Sequence, residues 1–288
     1  MILKETVYKI SAGTRRRIAL ISDLHNRSGK AVLRSLRRRR PDLIMITGDL
    51  LVGYRPKDDR LIVKSQKYVL PFLRSCADIA PTYVSLGNHE WIVCEEDLDL
   101  IRSTGVTLLD NSWVTSDGIV IGGLTSGFVV DYRKFRRRRM HASGQPQRYP
   151  KRRRSGRMSE LQPETAWLRE FEQQEGVKIL LCHHPEYWSL REPYLNRHRI
   201  DLVFSGHAHG GQIRIFGRSI FAPAQGFLPQ YTGGVHKGPY GKLVISRGLS
   251  NTVRLIPRIG NPTEIVYILL TGSENETEDR VFNYVPNA

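Results

Sequence analysis

The sequence predicts an α/β domain whose sheets are covered by helices. Three observations carry this. Short apolar runs alternate with amphipathic stretches through the first half of the chain, and the later part is rich in strand-like runs. The 288 residues are 40% hydrophobic, 9% aromatic and 25% charged, a globular composition in a chain long enough to bury a sizeable core. Those values exclude a disordered, collagen-like or coiled-coil chain.

In order along the chain, strands are predicted at 18–22 (IALIS), 42–47 (DLIMIT), 82–86 (TYVSL), 119–122 (IVIG) and 178–182 (KILLC). Further strands are predicted at 201–205 (DLVFS), 211–215 (GQIRI), 243–246 (LVIS) and 264–270 (EIVYILL). Amphipathic stretches at 31–39, 61–74, 95–103 and 163–173 predict helices, the last with proline near its start. There is no internal repeat and no long linker, so the expected partition is one domain over 1–272 with an acidic, frayed tail over 273–288.

No apolar run approaches the roughly 18 residues of a membrane-spanning helix, and the first residues lack the apolar stretch of a signal peptide. The three cysteines, Cys76, Cys94 and Cys182, have no paired spacing and read as reduced thiols, which predicts a cytoplasmic location, peripheral at a membrane if the basic insert described below binds lipid. Cys182 ends an apolar run and reads as core.

The net charge of +16 is uneven. Residues 133–157 hold twelve basic residues and no acidic one, leaving +4 for all the rest. This insert has no apolar periodicity and is expected to be a flexible loop. Its clusters Arg136, Arg137, Arg138, Arg139 and Arg152, Arg153, Arg154 are candidate contacts to a polyanion: substrate phosphates, an anionic membrane surface or nucleic acid. A solvated insertion with no specific partner is the competing reading. The runs 15–17 and 37–40 each read as an exposed turn or helix end.

Five apolar runs end in metal-capable residues. They are followed by Asp23-Leu-His25, Gly48-Asp49, Gly87-Asn88-His89-Glu90, His183-His184-Pro185 and Gly206-His207-Ala-His209-Gly-Gly. Ligands of open α/β sheets gather at the carboxyl ends of strands. Six of the nine histidines lie in these motifs. Carboxylates with neutral imidazoles suit Mn²⁺, Zn²⁺ or Fe²⁺ better than Ca²⁺. The cysteine-free set argues against a structural zinc site. Each motif alone is common; the ordered set of five is specific.

On SDLH at 22–25, GDL at 48–50, GNHE at 87–90, HHP at 183–185 and GHAHGGQ at 206–212, the sequence resembles the calcineurin-like metallophosphoesterases. The stretches from Ala222 to Tyr231 and from Ser246 to Leu249 resemble the bacterial branch of small phosphohydrolases with HGGQ after the paired histidines, which includes enzymes similar to UDP-2,3-diacylglucosamine pyrophosphatases. The resemblance implies a four-layer αββα sandwich and two divalent metal ions. Carried over residue by residue, it implies that Asp23, His25, Asp49 and His209 hold one metal, with Asp49 bridging. Asn88, His183 and His207 complete the other, and His89 touches the phosphate and the leaving group. His183 is taken over its neighbour because the family reads His-x-Pro here; adjacent strand residues point to opposite faces, which leaves His184 as a supporting or substrate-facing group. Glu90 stands where the family usually has Asp, which predicts a looser or re-aimed support of His89.

The activity this implies is metal-dependent hydrolysis of a phosphodiester or pyrophosphate by in-line attack of a metal-bridging hydroxide, with His89 as proton donor and Asn88 on a non-bridging oxygen. A lipid-linked or nucleotide substrate, hence a place in lipid metabolism, is one expectation. A nuclease-like phosphodiesterase using the Arg-rich insert, and a non-catalytic scaffold, are the alternatives.

Overall fold

The computed structural model describes residues 3–52, 61–126, 128–129, 159–160, 163–222, 225–250, 258–272 and 281–284, with the backbone alone described at 91–92, 128–129, 159–160 and 281–284. The elements, in order, are β1 (Leu3–Ser11), β2 (Arg16–Ile21), α1 (Lys30–Arg39), β3 (Leu43–Ile46), α2 (Ile62–Ser65), α3 (Val69–Ala77), β4 (Thr82–Ser85), α4 (Glu95–Arg102), β5 (Thr107–Leu109), β6 (Ser112–Ser116) and β7 (Ile119–Leu124). Then come β8 (Phe128–Val129), β9 (Ser159–Glu160), α5 (Leu168–Gln173), β10 (Val177–Cys182), β11 (Leu202–Ser205), β12 (Ile213–Ile215), β13 (Arg218–Ala222), β14 (Gly226–Phe227), β15 (Gly234–Lys237), β16 (Lys242–Ile245), β17 (Thr263–Thr271) and β18 (Val281–Tyr284).

Two sheets carry the fold. One has the order β18-β1-β17-β2-β3-β4-β5, the other β15-β16-β11-β10-β7-β6. In the first, β2, β3, β4 and β5 run parallel; in the second, β16, β11, β10 and β7 do. Parallel strands buried on both faces read as continuous apolar runs, as IALI, LIMI and ILLC do.

Strand alternation sorts these runs into layers. Ile18 and Leu20 of β2 and Met45 of β3 face the second sheet, where they meet Ile179 and Leu181 of β10 and Phe204 of β11. The alternate residues Ala19, Ile21, Ile44 and Ile46 face Leu36 of α1, Phe72 of α3 and Leu98 of α4. On the far side of the second sheet, Leu180, Cys182 and Val203 pack on Phe171 of α5, Tyr187 and Trp188. Three cores between four layers make the αββα sandwich that the resemblance implied, with a thin outer layer over the second sheet that holds, among the described residues, one six-residue helix and short turns.

Several expectations are corrected. The single helix over 61–74 is two helices, because Gln66 leaves the helical conformation and its side chain bonds both the N–H and the C=O of Val52, while Asn26 Oδ1 accepts from the Tyr68 N–H at 2.9 Å. Tertiary bonds to the loops after β2 and β3 override the helical pattern there. The helix predicted from Pro163 starts at Leu168. Strands β1, β5, β6, β13, β14 and β15 were not predicted; most are short or edge strands with weak patterning. Within the tail, Val281–Tyr284 pairs antiparallel with β1 rather than fraying.

Candidate metal centre

The chain reaches the site through tight turns. Five non-glycine residues of the motifs, Asp23, His25, Asp49, His207 and His209, have left-handed backbone, with φ between 43° and 64°. Such a conformation costs about 1–2 kcal/mol per residue and persists where the surroundings over-determine it. Here the loop after β2 is zipped to the loop after β3: the N–H groups of Asp23, His25 and Asn26 donate to the C=O groups of Gly48, Asp49 and Leu50 at 2.8–3.1 Å. Gly48 and Gly87 meet backbone to backbone; a Cβ on Gly87 would lie 2.4 Å from Asp49 Oδ1. The sheets meet by the same means, with Gly206 N–H donating to His183 C=O at 3.0 Å within the second sheet and Leu249 N–H donating to Ser22 C=O at 3.1 Å across to the first.

These turns bring the side chains of the five motifs together. Around Asp49 Oδ2 lie His183 Nε2 at 3.1 Å, His25 Nε2 at 3.7 Å and His89 Nε2 at 3.8 Å. Around Asp23 Oδ1 lie His209 Nε2 at 3.5 Å, His25 Nε2 at 3.8 Å and His183 Nε2 at 3.9 Å. Donor atoms of Asp23, His25 and His209 all lie within 4.8 Å of one another, as do those of His25, Asp49 and His89, and those of Asp49, His183 and His207.

Two imidazoles are oriented by the backbone. His25 Nδ1 donates to Leu51 C=O at 3.0 Å and His183 Nδ1 to Thr47 C=O at 2.8 Å. A carbonyl only accepts, so each Nδ1 carries a proton and each Nε2 faces the centre. His184 points the other way, as strand parity requires: residues 179, 181 and 183 face inward, while His184 continues the outward set of Leu180 and Cys182. Its Nδ1 meets Ser126 Oγ at 3.0 Å and its ring lies tilted by 40° against that of His207, centroids 4.0 Å apart.

Glu90 is re-aimed, and not at His89. Its carboxylate accepts from the N–H groups of Gly87 (2.7 Å), Asp49 (2.8 Å) and Leu51 (2.9 Å). The extra methylene lets it reach past its own turn and clamp the loop that carries Asp49. The structure also adds residues that no sequence motif flagged. Asn261 Nδ2 donates to the C=O groups of His209 and Gly211, and Arg258 Nη2 sits 3.3 Å from His209 Nδ1. Both lie far along the chain in a loop without periodic signal. The Arg clusters 136–139 and 152–154 lie outside the described residues.

Electrostatics follow from burial among mixed charges. Burial works to raise the carboxyls of Asp23 and Asp49, but the surrounding imidazoles hold both well below the usual range. Burial works to lower His183, but the Asp49 and Asp23 carboxylates raise it to about 9. Burial pushes His209 down to about 3 and, with the His25 and His183 neighbours, His89 down to about 4. Burial and the Asp49 charge push Glu90 up to about 7, while its N–H donors pull it back.

Buried polar atoms are normally hydrogen-bonded. Here Asp23 Oδ1 and Oδ2 and Asn88 Oδ1 are buried and accept no hydrogen bond of ordinary geometry, and His25 Nε2 and His183 Nε2 face only the Asp23 and Asp49 carboxylates. The Asp23, His25 and His183 atoms lie in one cluster, and once both imidazoles are neutral at Nε2 this N/O set fits a borderline divalent metal.

An αββα sandwich with such a cluster at its strand ends is the class defined by the metallophosphoesterases. The sequence model of the calcineurin-like phosphoesterases matches residues 16–211, more than half of the chain, and the chain belongs to that family. Relatives include an uncharacterized metallophosphoesterase of Helicobacter pylori (strain ATCC 700392 / 26695), 28% identical over 93% of this chain and 63% of its own length. Another, of Aquifex aeolicus, is 25% identical over 93% of this chain and 89% of its own. The chain spans 49% of a second Helicobacter relative, so the first relatives matched are considerably longer proteins. Among solved structures, a dimetal phosphatase from Danio rerio aligns with a TM-score of 0.47 at 12% identity, over 81% of this chain and 87% of its own. A Thermus thermophilus protein, TT1561, aligns with 0.45 at 13%, over 81% and 89%.

Proposed function

We propose that the chain is a metal-dependent phosphoesterase with a binuclear centre. Asp23, His25, Asp49 and His209 would hold one divalent ion; Asn88, His183 and His207, sharing Asp49, would hold the other. The observation that carries this reading is the cluster of buried carboxylates and imidazoles gathered around Asp23 and Asp49, with both Asp23 oxygens left without a hydrogen bond of ordinary geometry. Divalent ions in such a site supply Lewis acidity toward phosphoryl oxygens and lower the pKa of coordinated water.

The protein's own residues do the rest. Glu90 fixes the backbone of Asp49 and Gly87, so the shared carboxylate and the turn bearing Asn88 move as one unit. The Leu51 and Thr47 carbonyls fix the tautomers of His25 and His183. His89, with a 26% exposed side chain, is the histidine placed to exchange a proton with a substrate from solvent. In the metal-free chain it is neutral at pH 7, so proton donation at Nε2 needs the negative charge of a bound phosphate to favour the imidazolium.

A diester or pyrophosphate substrate is favoured by the resemblance to the HGGQ branch. The twelve basic residues of 133–157 support a polyanionic substrate or surface, and β8, which ends four residues before that segment in the sequence, runs beside the turn Asn88–Ile92. Free thiols at Cys76, Cys94 and Cys182 support a reducing compartment, and no helix among the described residues is long and apolar enough to cross a membrane.

The test is hydrolysis of bis-p-nitrophenyl phosphate and p-nitrophenyl phosphate with Mn²⁺, Zn²⁺ or no added metal, for the unaltered chain and Asp49→Asn. Metal-dependent diester cleavage lost in the variant is the expected result. Activity on the monoester alone would replace the diester reading. No turnover of either from protein shown to hold two metals would favour the scaffold.

A further inference from the structure

Directly after the metal-centre loop the chain leaves both main sheets and builds a third, β12-β13-β14. The two are tied together: Gln212 N–H donates to Phe221 C=O at 3.1 Å, and Asn261 bonds the carbonyls of His209 and Gly211. Among the described residues, most of the exposed apolar side chains lie on or beside this small sheet. Of seven exposed large hydrophobic residues among those described, five lie on it or beside it: Ile215, Phe216, Phe227, Leu228 and Ile259, the last bridged to Ile213. Phe216 is fully exposed, Phe227 81% and Leu228 78%. Single exposed apolar residues are ordinary; a cluster of five marks an interaction surface.

Backbone strain points the same way. Phe216 and Leu228 sit at turns with φ of 48° and 50°, a conformation that glycine or asparagine adopts cheaply and a bulky side chain does not. Polar turn residues would relieve both the strain and the exposure. The β12–β13 hairpin tip at Phe216 and the bend after β14 at Leu228 instead hold large apolar side chains in solvent.

Charge selects the occupant. From residue 202 to 263 the chain has seven Lys and Arg and no Asp or Glu, and Arg218 is exposed two residues from Phe216. A second copy of the chain would bring like charge against like. Of the five, only Phe216 and Phe227 have a π-face for a nucleic-acid base; Ile215, Leu228 and Ile259 offer none. Apolar side chains beside the exposed Arg218, on a chain of net charge +16, match an anionic bilayer, where the apolar groups enter the acyl boundary and Arg218 meets headgroup phosphates. We propose that the β12-β13-β14 sheet docks the protein on an anionic lipid bilayer by inserting Phe216, Phe227 and Leu228, which holds the loop bearing His209 at the membrane surface.

The test is sedimentation with vesicles of phosphatidylglycerol and phosphatidylcholine, at low salt and at 0.5 M NaCl, for the unaltered chain and for Phe216→Ser/Phe227→Ser/Leu228→Ser. The triple variant keeps every charge, including those of 133–157. The expected result is a partition coefficient at least tenfold lower for the variant at both salt concentrations, with unchanged thermal unfolding and metal content. Equal partition of the two proteins would overturn the proposal, because charge alone would then account for binding. So would absence of binding by the unaltered chain at low salt. Sedimentation velocity on the same pair, and titration with single-stranded DNA, give the remaining outcomes. A dimer that the triple substitution dissociates, or DNA binding that it abolishes while vesicle binding persists, would assign the surface to self-association or to nucleic acid.

Discussion

Glu90 Oε2 accepts a hydrogen bond from the backbone N–H of Asp49 at 2.8 Å, so the acidic residue of GNHE holds the carboxylate-bearing loop of GDL, 41 residues away. Its other bonds, to Gly87 and Leu51, close a clamp between the turns after β3 and β4. The departure from the more usual Asp is thus compensated by a different target.

Glu90→Gln keeps the shape and loses the charge, and it turns one N–H donor of the amide toward the N–H groups it should accept from. Hydrogen bonds to charged groups are worth about 1.5–3 kcal/mol each. The variant should unfold at least 5 °C lower and bind less than two metals per chain. Differential scanning calorimetry and metal analysis by mass spectrometry check this; a variant with unchanged metal content would show that the clamp does not hold the centre.

His183 and His184 should separate cleanly. His183→Ala removes a donor 3.1 Å from Asp49 Oδ2 and should lower metal content by about one ion per chain. His184→Ala removes a ring from the outer side, between Ser126 and His207, and should cost stability of roughly 2–4 kcal/mol by cavity formation while retaining both ions. Metal stoichiometry with denaturant unfolding distinguishes the two; equal metal loss would contradict the strand-parity assignment.

Gly248 tests whether the sequence beyond the family match completes the centre. It has φ 71°, and a Cβ there would lie 2.6 Å from Asp23 Oδ2. Gly248→Ala should displace that carboxylate. Misplacement of a reacting group by about 1 Å costs on the order of 100-fold in rate, so turnover should fall by that order with the fold intact. Steady-state kinetics beside circular dichroism is the measurement.

Protonation couples to metal loading. In the metal-free chain His183 titrates near 9, above its ordinary 6.5, so its interaction with the carboxylates stabilises the metal-free fold fully below 6.5 and is lost as pH rises through 9. A metal needs the neutral imidazole and displaces that proton. Metal affinity should therefore rise between pH 6 and 9, with proton release seen as a buffer-dependent heat in calorimetry, while the His183 contribution to metal-free stability declines over the upper part of that range. Metal binding without proton uptake or release at pH 7 would refute the coupling.

The sequence by itself determined the buried strands of the two sheets and the five loops of the candidate site, because apolar runs of four to six residues and the polar motifs after them are both local. It left the two adjacent histidines to family pattern; the parity of β10 resolves them only once Leu181 is seen to face the first sheet. Tertiary structure alone decided the break at Gln66, the target of Glu90, the approach of Asn261 and Arg258 to His209, and the pairing of Val281–Tyr284 with β1. Each of these joins segments distant in the chain through hydrogen bonds or pairing that leave no periodic trace in either segment. A local pattern fixes which face a residue takes, whereas the partner it meets there is set by how the sheets and loops pack.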